Sequence, residues 1–129
     1  MIARMTKYFL IMLALTASAF SEGELRHLVF FKFKPDTPEK EITRIEKEFA
    51  ALPDKIETIT GYEWGTNVGA EDKAKGFTHG FTVTFANQEG LDAYIPHPAH
   101  RAFVKGLKPH LEDVFVFDYI AKSKAASDE

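Results

Sequence analysis

"FTHGFTVTF" (77–85) carries the clearest alternation in the chain: Phe77, His79, Phe81, Val83 and Phe85 interleave with Thr78, Gly80, Thr82 and Thr84. Neighbouring side chains of a strand point to opposite faces. One face of this strand is therefore apolar apart from a single histidine, and the other is small and polar. Upstream, "LRHLVFFKFK" (25–34) reads as a second strand, with His27, Val29, Phe31 and Phe33 on one face and Leu28, Phe30 and Lys32 on the other. Both of its faces are largely apolar, which predicts cover on both sides.

The segments between and beyond these strands complete a pattern. In "PDTPEK", Thr37 is placed to cap a helix and Pro38 suits its first position. Ile42, Ile45, Phe49 and Leu52 then form an apolar stripe, and Pro53 is expected to end or bend the helix before Ile56. "GYEWGTNVG" (61–69) is a weaker strand, and "GAEDKAKG" (69–76) an exposed loop. Residues 87–95 and 99–108 read as helical around the Pro96–Pro98 break. "LEDVFVFDYI" (111–120) closes the series as a strand, apolar on both faces through Val114/Val116 and Phe115/Phe117. The order strand, helix, strand, strand, helix, strand predicts a ferredoxin-like α+β sandwich, βαββαβ, with a four-stranded antiparallel sheet. One domain spans 25–120, and 121–129 is a polar tail expected to be disordered. Leu28, Phe30, Phe115 and Phe117 fall on the sheet face without helices. A patch of that kind predicts a partner, most simply a second copy docked sheet against sheet as a homodimer.

Composition narrows the function. Residues 1–19 combine Arg4 and Lys7, an apolar run "YFLIMLAL" and small Ala17 and Ala19, the pattern of a secretory signal cleaved after Ala19. An uncleaved anchor is the alternative, although the run is short for a membrane span of about 20 residues. Cleavage leaves 20–24 as a short leading segment and a secreted or periplasmic protein with no membrane contact. It also moves the formal charge from −3 to −5 by removing two cations. Such a balance excludes nucleic acid as a partner, because binding phosphates needs a concentrated positive field. The absence of cysteine excludes disulfides, thiol catalysis and cysteine-ligated zinc, while twelve phenylalanines supply ample core.

Strand parity also sorts the polar residues. Val29, Phe31, Phe81, Val83, Val114 and Val116, with Phe49 from the helix, predict a small apolar pocket on the helix-facing side. His27, His79 and Asp118 share those strand faces, and Tyr94 and His100 enter from the covering segment. With the first strand antiparallel beside the fourth, His27 comes near Asp118, whereas His79 opens its own strand and lies away from His27. A carboxylate beside an imidazole fixes its tautomer and raises its basicity, as general-base chemistry requires. In "YIPHPAHRAF" (94–103), the two prolines restrict the backbone around His97. His100 shares a helix face with Phe103 and Val104, so Tyr94 and His100 are expected inward, and His97 and Arg101 toward the surface. His97-x-x-His100 is not expected to bind metal, because Pro98 disrupts the spacing and no cysteine or carboxylate completes a ligand set. The structural alternative is that these histidines are hydrogen-bonded core residues and Tyr94 a packing ring. His110 is expected at the surface.

"RHLVFFKFK", "GFTHGFTVTF", "YIPHPAHRAF" and "VFVFDY", in this order and spacing, resemble the stress-responsive A/B-barrel (Dabb) family over roughly residues 25–120. The resemblance implies a ferredoxin-like protomer and a homodimer whose two sheets close into an α/β barrel. The family's plant polyketide cyclase, which works by aldol condensation, is similar in having histidine at His27, His79 and His100, tyrosine at Tyr94 and aspartate at Asp118. By that similarity His100 is the general base, Tyr94 steadies an oxyanion, and His27, His79 and Asp118 support them. Gly80, Phe30, Phe31 and Leu111 imply a differently shaped pocket. The expected function is cofactor-independent proton transfer, cyclase-, isomerase- or lyase-like, on a small apolar or aromatic carbonyl ligand. The alternative is a non-catalytic, stress-related or ligand-binding homodimer. A haem-dependent oxygenase of the same general fold would instead use His97 or His100 as its axial ligand.

Overall fold

The computed structural model describes residues 23–125. The expected signal segment, 1–19, and residues 126–129 of the tail lie outside it. Seven main elements follow in order: β1 (Leu25–Phe33), α1 (Glu39–Lys55), β2 (Ile59–Thr66), β3 (His79–Phe85), α2 (Gln88–Tyr94), α3 (Pro98–Leu107) and β4 (Leu111–Ile120). A single 3-10 turn, Lys108–His110, links α3 to β4. The strands form one antiparallel sheet in the order β2-β3-β1-β4. This is the ferredoxin-like α+β sandwich that the strand–helix pattern predicts.

The inner face follows the parity of β1 and β3. Leu25, His27, Val29 and Phe31 of β1 are buried, as are His79, Phe81, Val83 and Phe85 of β3. Above them α1 lays down Ile45, Phe49 and Leu52, and α3 adds Phe103 and Leu107. Phe49 is the hub: its ring stacks on Phe81 at 4.3 Å and meets Phe103 at 4.9 Å and Phe31 at 6.0 Å. Burying each such ring contributes roughly 1.5–3 kcal/mol, so this cluster dominates the stability of a chain without cross-links.

Several boundaries differ from the sequence reading, each for a local reason. Thr37 does not cap α1. Its hydroxyl donates to the Lys34 carbonyl at 2.7 Å, closing the turn after β1, and Pro38 occupies the cap position with no side-chain bond. α1 continues past Pro53 to Lys55, and the Ile56 amide still reaches the Leu52 carbonyl at 3.0 Å. The proline lies in the last turn, where one missing hydrogen bond costs little. β2 starts at Ile59 and ends at Thr66 because its partner β3 runs only from Phe85 back to His79. Residues 67–78 form the connecting loop, closed by the Asn67 amide on the Thr78 carbonyl at 2.9 Å.

β4 departs most from expectation. Val114 and Val116 pair with Phe31 and Val29 and so share the inner face, yet they remain 46% and 48% exposed. The helices pack mainly over β1, β2 and β3, leaving β4 as an open edge. On the outer face Phe115 is 46% and Phe117 54% exposed, and Phe115 stacks on Phe30 at 5.9 Å. Gly80 makes that stack possible. A Cβ there would stand 3.2 Å from the Phe30 ring, which would then have to tilt.

Candidate functional site

Four of the five sequence-predicted polar residues meet at one end of the inner face. β1 pairs with β4 so that His27 stands opposite Asp118. The imidazole Nδ1 is 2.6 Å from Asp118 Oδ1. A carboxylate accepts, so Nδ1 carries the proton and Nε2 keeps its lone pair when the ring is neutral. His27 is buried, and Asp118 is partly open to solvent at the β4 edge.

Tyr94 ends α2 directly above this pair. Its ring is 5.6 Å from His27, 5.1 Å from Phe85 and 4.3 Å from His100. α2 is itself started by Asn87, whose side chain accepts from the Gly90 amide at 3.1 Å. Among the described residues the Tyr94 hydroxyl forms no hydrogen bond. Burial pushes its phenol well above the ordinary tyrosine range, and the Tyr62 phenol adds to that. The group is thus a neutral donor at any physiological pH.

His100 sits in the first turn of α3, half-buried. Its Nδ1 is 2.8 Å from the Ile95 carbonyl. A carbonyl can only accept, so Nδ1 is again protonated and Nε2 is the free basic nitrogen. Burial lowers the His100 pKa below the ordinary value, opposed in part by the Ile95 hydrogen bond. The ring is therefore neutral near pH 7 and able to take a proton. His97 has a different part: its Nδ1 accepts from the Ala99 amide at 3.0 Å, capping α3 just ahead of Pro98. The histidine between the two prolines sets where the helix begins, which in turn places His100. Arg101 is exposed, as expected. His110 is only half-exposed, 3.6 Å from Glu41.

His79 does not join the other four. It faces Phe31 across the β1–β3 pair, four residues along β1 from His27 and so about 13 Å away at ~3.4 Å per residue. Its Nε2 donates to Glu46 Oε2 at 2.7 Å and its Nδ1 lies 2.7 Å from the Thr78 hydroxyl, while Trp64 stacks on the ring at 5.9 Å. Glu46 belongs to α1, and nothing local in the sequence links it to His79.

The predicted pocket-lining residues divide. Val29, Phe31, Phe49, Phe81 and Val83 are closely packed core, while Val114 and Val116 lie on the open edge. A hollow of ≈ 700 Å³ lies instead on the outer face, under the 67–77 loop, lined by Leu28, Phe30, Phe77 and Phe115 and reaching Trp64 and His79. The acid–base cluster and this hollow are on opposite sides of the sheet. Among the described residues, no group of three or more His, Cys, Asp or Glu could hold a metal ion, and no helix is long and apolar enough to cross a membrane.

Sequence reasoning missed Tyr62. Pairing aligns Tyr62, Val83, His27 and Asp118 in one row across β2, β3, β1 and β4 on the inner face. Its phenol is pushed up to about 12 by burial. The alternation of Tyr62 with Trp64 was visible, but the register that sets it level with His27 was not.

Comparison with known proteins bears on this geometry. The pattern of the stress responsive A/B barrel domain (Dabb) matches residues 25–121. The chain is 33% identical over 99 residues to the stress-response A/B barrel domain-containing protein HS1 of Arabidopsis thaliana, covering 77% of this chain and 91% of that protein. It is also 33% identical over 95 residues to the olivetolic acid cyclase of Cannabis sativa, covering 74% and 94%. Among solved structures, the hydroxynitrile lyase of Passiflora edulis is similar with a TM-score of 0.75 and 28% identity, over 80% of this chain and 97% of that one. A dimeric ferredoxin-like protein of unknown function from Bacteroides fragilis is similar at a TM-score of 0.65 and 28% identity, over 79% and 100%.

Proposed function

The chain belongs to the stress-responsive A/B-barrel family, and we propose that it works as a homodimer in which each protomer carries a cofactor-independent acid–base site for a small apolar or aromatic carbonyl compound. The observation that carries this reading is the state of His100: Nδ1–H is tied to the Ile95 carbonyl, leaving Nε2 basic in a ring held neutral by burial and set against the Tyr94 phenol. In the proposed step Nε2 removes a proton from the carbon next to a carbonyl. The electron pair moves onto the carbonyl oxygen, which the Tyr94 hydroxyl stabilises as a hydrogen-bond donor. The enolate carbon then attacks a second carbonyl or recovers a proton, and His100 returns the proton it took. His27, oriented by Asp118, holds the polar end of the site. An olivetolic acid cyclase and a hydroxynitrile lyase among the relatives support acid–base chemistry at this site.

The dimer is supported by the dimeric Bacteroides fragilis relative and by the exposed aromatic ladder of Phe115, Phe117 and Tyr119. In the proposed dimer two outer faces meet and the barrel encloses the ≈ 700 Å³ hollow. We further propose that residues 1–19 direct export to a secreted or periplasmic location and are then removed.

The test is exchange of the α-protons of acetophenone in D₂O, followed by NMR. Catalysed exchange that is lost in His100→Ala, with the thermal midpoint nearly unchanged, is the expected result. Exchange that survives His100→Ala refutes the base assignment. A wild-type protein without any exchange favours the second reading, a binding protein that uses the apolar hollow on the outer face.

A further inference from the structure

The Tyr62 hydroxyl is buried and has no hydrogen-bond partner among the described residues. A buried hydroxyl left in that state costs about 1–3 kcal/mol, so native chains rarely keep one without a reason. Packing does not need it. The ring already leans on Phe49 at 5.6 Å, and phenylalanine would fill the same volume without the penalty. Its position in the sheet is informative: Tyr62 lies level with His27 and Asp118, two strands from His27, on the face that Tyr94 covers. Burial keeps each phenol protonated, and Tyr62 further disfavours ionisation of Tyr94. Two neutral O–H groups therefore stand on the same face of the sheet, and the Tyr62 hydroxyl is committed to no other residue.

We propose that Tyr62 is a second oxyanion donor, sharing with Tyr94 the developing negative charge on the substrate oxygen. This deepens the proposed function and rests on it. Two donors aimed at one oxygen give more stabilisation than one, and they fix the carbonyl so that its α-carbon faces His100 rather than His27. The ligand class follows: a substrate whose reacting oxygen becomes an enolate or alkoxide.

A phenolate mimics such an oxyanion, so 4-nitrophenol is a direct probe, read by the absorbance of its bound anion above its own pKa. Wild type, Tyr62→Phe, Tyr94→Phe and the double variant are compared, each with its thermal midpoint. Tyr62→Phe is expected to weaken phenolate binding roughly tenfold or more, the loss expected for a hydrogen bond to a charged oxygen. Its midpoint is expected to stay level or rise, because the removed hydroxyl contributed nothing to folding. Unchanged phenolate affinity in Tyr62→Phe, with weakened affinity in Tyr94→Phe, overturns the role of Tyr62 and leaves the proposed function standing. No binding by wild type, or no effect of Tyr94→Phe, overturns the site reading itself. A fall in the midpoint of Tyr62→Phe without a change in affinity assigns the hydroxyl to structure and also overturns the proposal.

Discussion

Replacing Asp118 with alanine isolates the bond on which the candidate site is built. His27 is nine-tenths buried as a side chain and Asp118 about one-third exposed, with Nδ1 and Oδ1 2.6 Å apart. A hydrogen bond to a charged group contributes about 1.5–3 kcal/mol, and solvent screening at the β4 edge brings this one toward the lower end. Asp118→Ala is expected to cost about 1–2 kcal/mol, most of it from leaving the His27 N–H unpaired. With a urea slope of roughly 1–3 kcal/mol per molar, the unfolding midpoint falls by about 0.5–1 M. Asp118→Asn keeps an acceptor for the same N–H and is expected to lose less than half as much. A double-mutant cycle with His27→Ala should return a coupling of about 1 kcal/mol or more. A coupling indistinguishable from zero would refute the reasoning, since it would mean the pair contributes no more than two independent side chains.

Three further outcomes follow from the same structure. Phe30→Asp places a charge in the Phe30–Phe115 stack, once in each protomer, and is expected to give monomer or aggregate in sedimentation velocity; an intact dimer excludes the sheet-face interface. His100 has a lowered pKa in the folded chain, so below pH ~6.5 the unfolded chain binds a proton that the folded ring resists. The stability it contributes is complete above that pH and is lost as pH falls through the folded pKa. Urea midpoints should therefore drop more steeply between neutral and mildly acid pH in wild type than in His100→Ala, by less than the ~1.4 kcal/mol per unit of a fully buried group. Equal slopes refute the burial effect. N-terminal sequencing of the protein from its native host should begin at Phe20, and a chain beginning at Met1 contradicts processing.

Much of this site was legible because strands obey parity. Alternation alone set His27, Val29 and Phe31 on one face and Leu28 and Phe30 on the other. Antiparallel pairing of the first and last strands was enough to bring His27 to Asp118 and keep His79 apart. What stayed hidden depends on contacts between elements distant in sequence. Glu46 reaches His79 from a helix 33 positions upstream. Tyr62 becomes part of the row only through the register shift between Ile59 and Gly61. β4 reads as apolar on both faces, but no pattern within it tells that the helices stop short of it. Thr37 and His97 show a smaller difficulty, for a polar side chain beside a proline can close a turn or cap a helix, and the choice is made by backbone geometry.

The place of β1 has a consequence in time. It is the first of the described strands to be made, yet it lies in the middle of the sheet, held by β3 on one side and β4 on the other. The His27–Asp118 bond joins residues 91 positions apart. Loops of that length close slowly, and sheets made from such distant pairings are slow to assemble. A ribosome that has not yet released Asp118 holds a chain whose central strand lacks one neighbour and whose imidazole lacks its carboxylate. Synthesis therefore nears its end before the His27–Asp118 pair and the full four-stranded sheet can form.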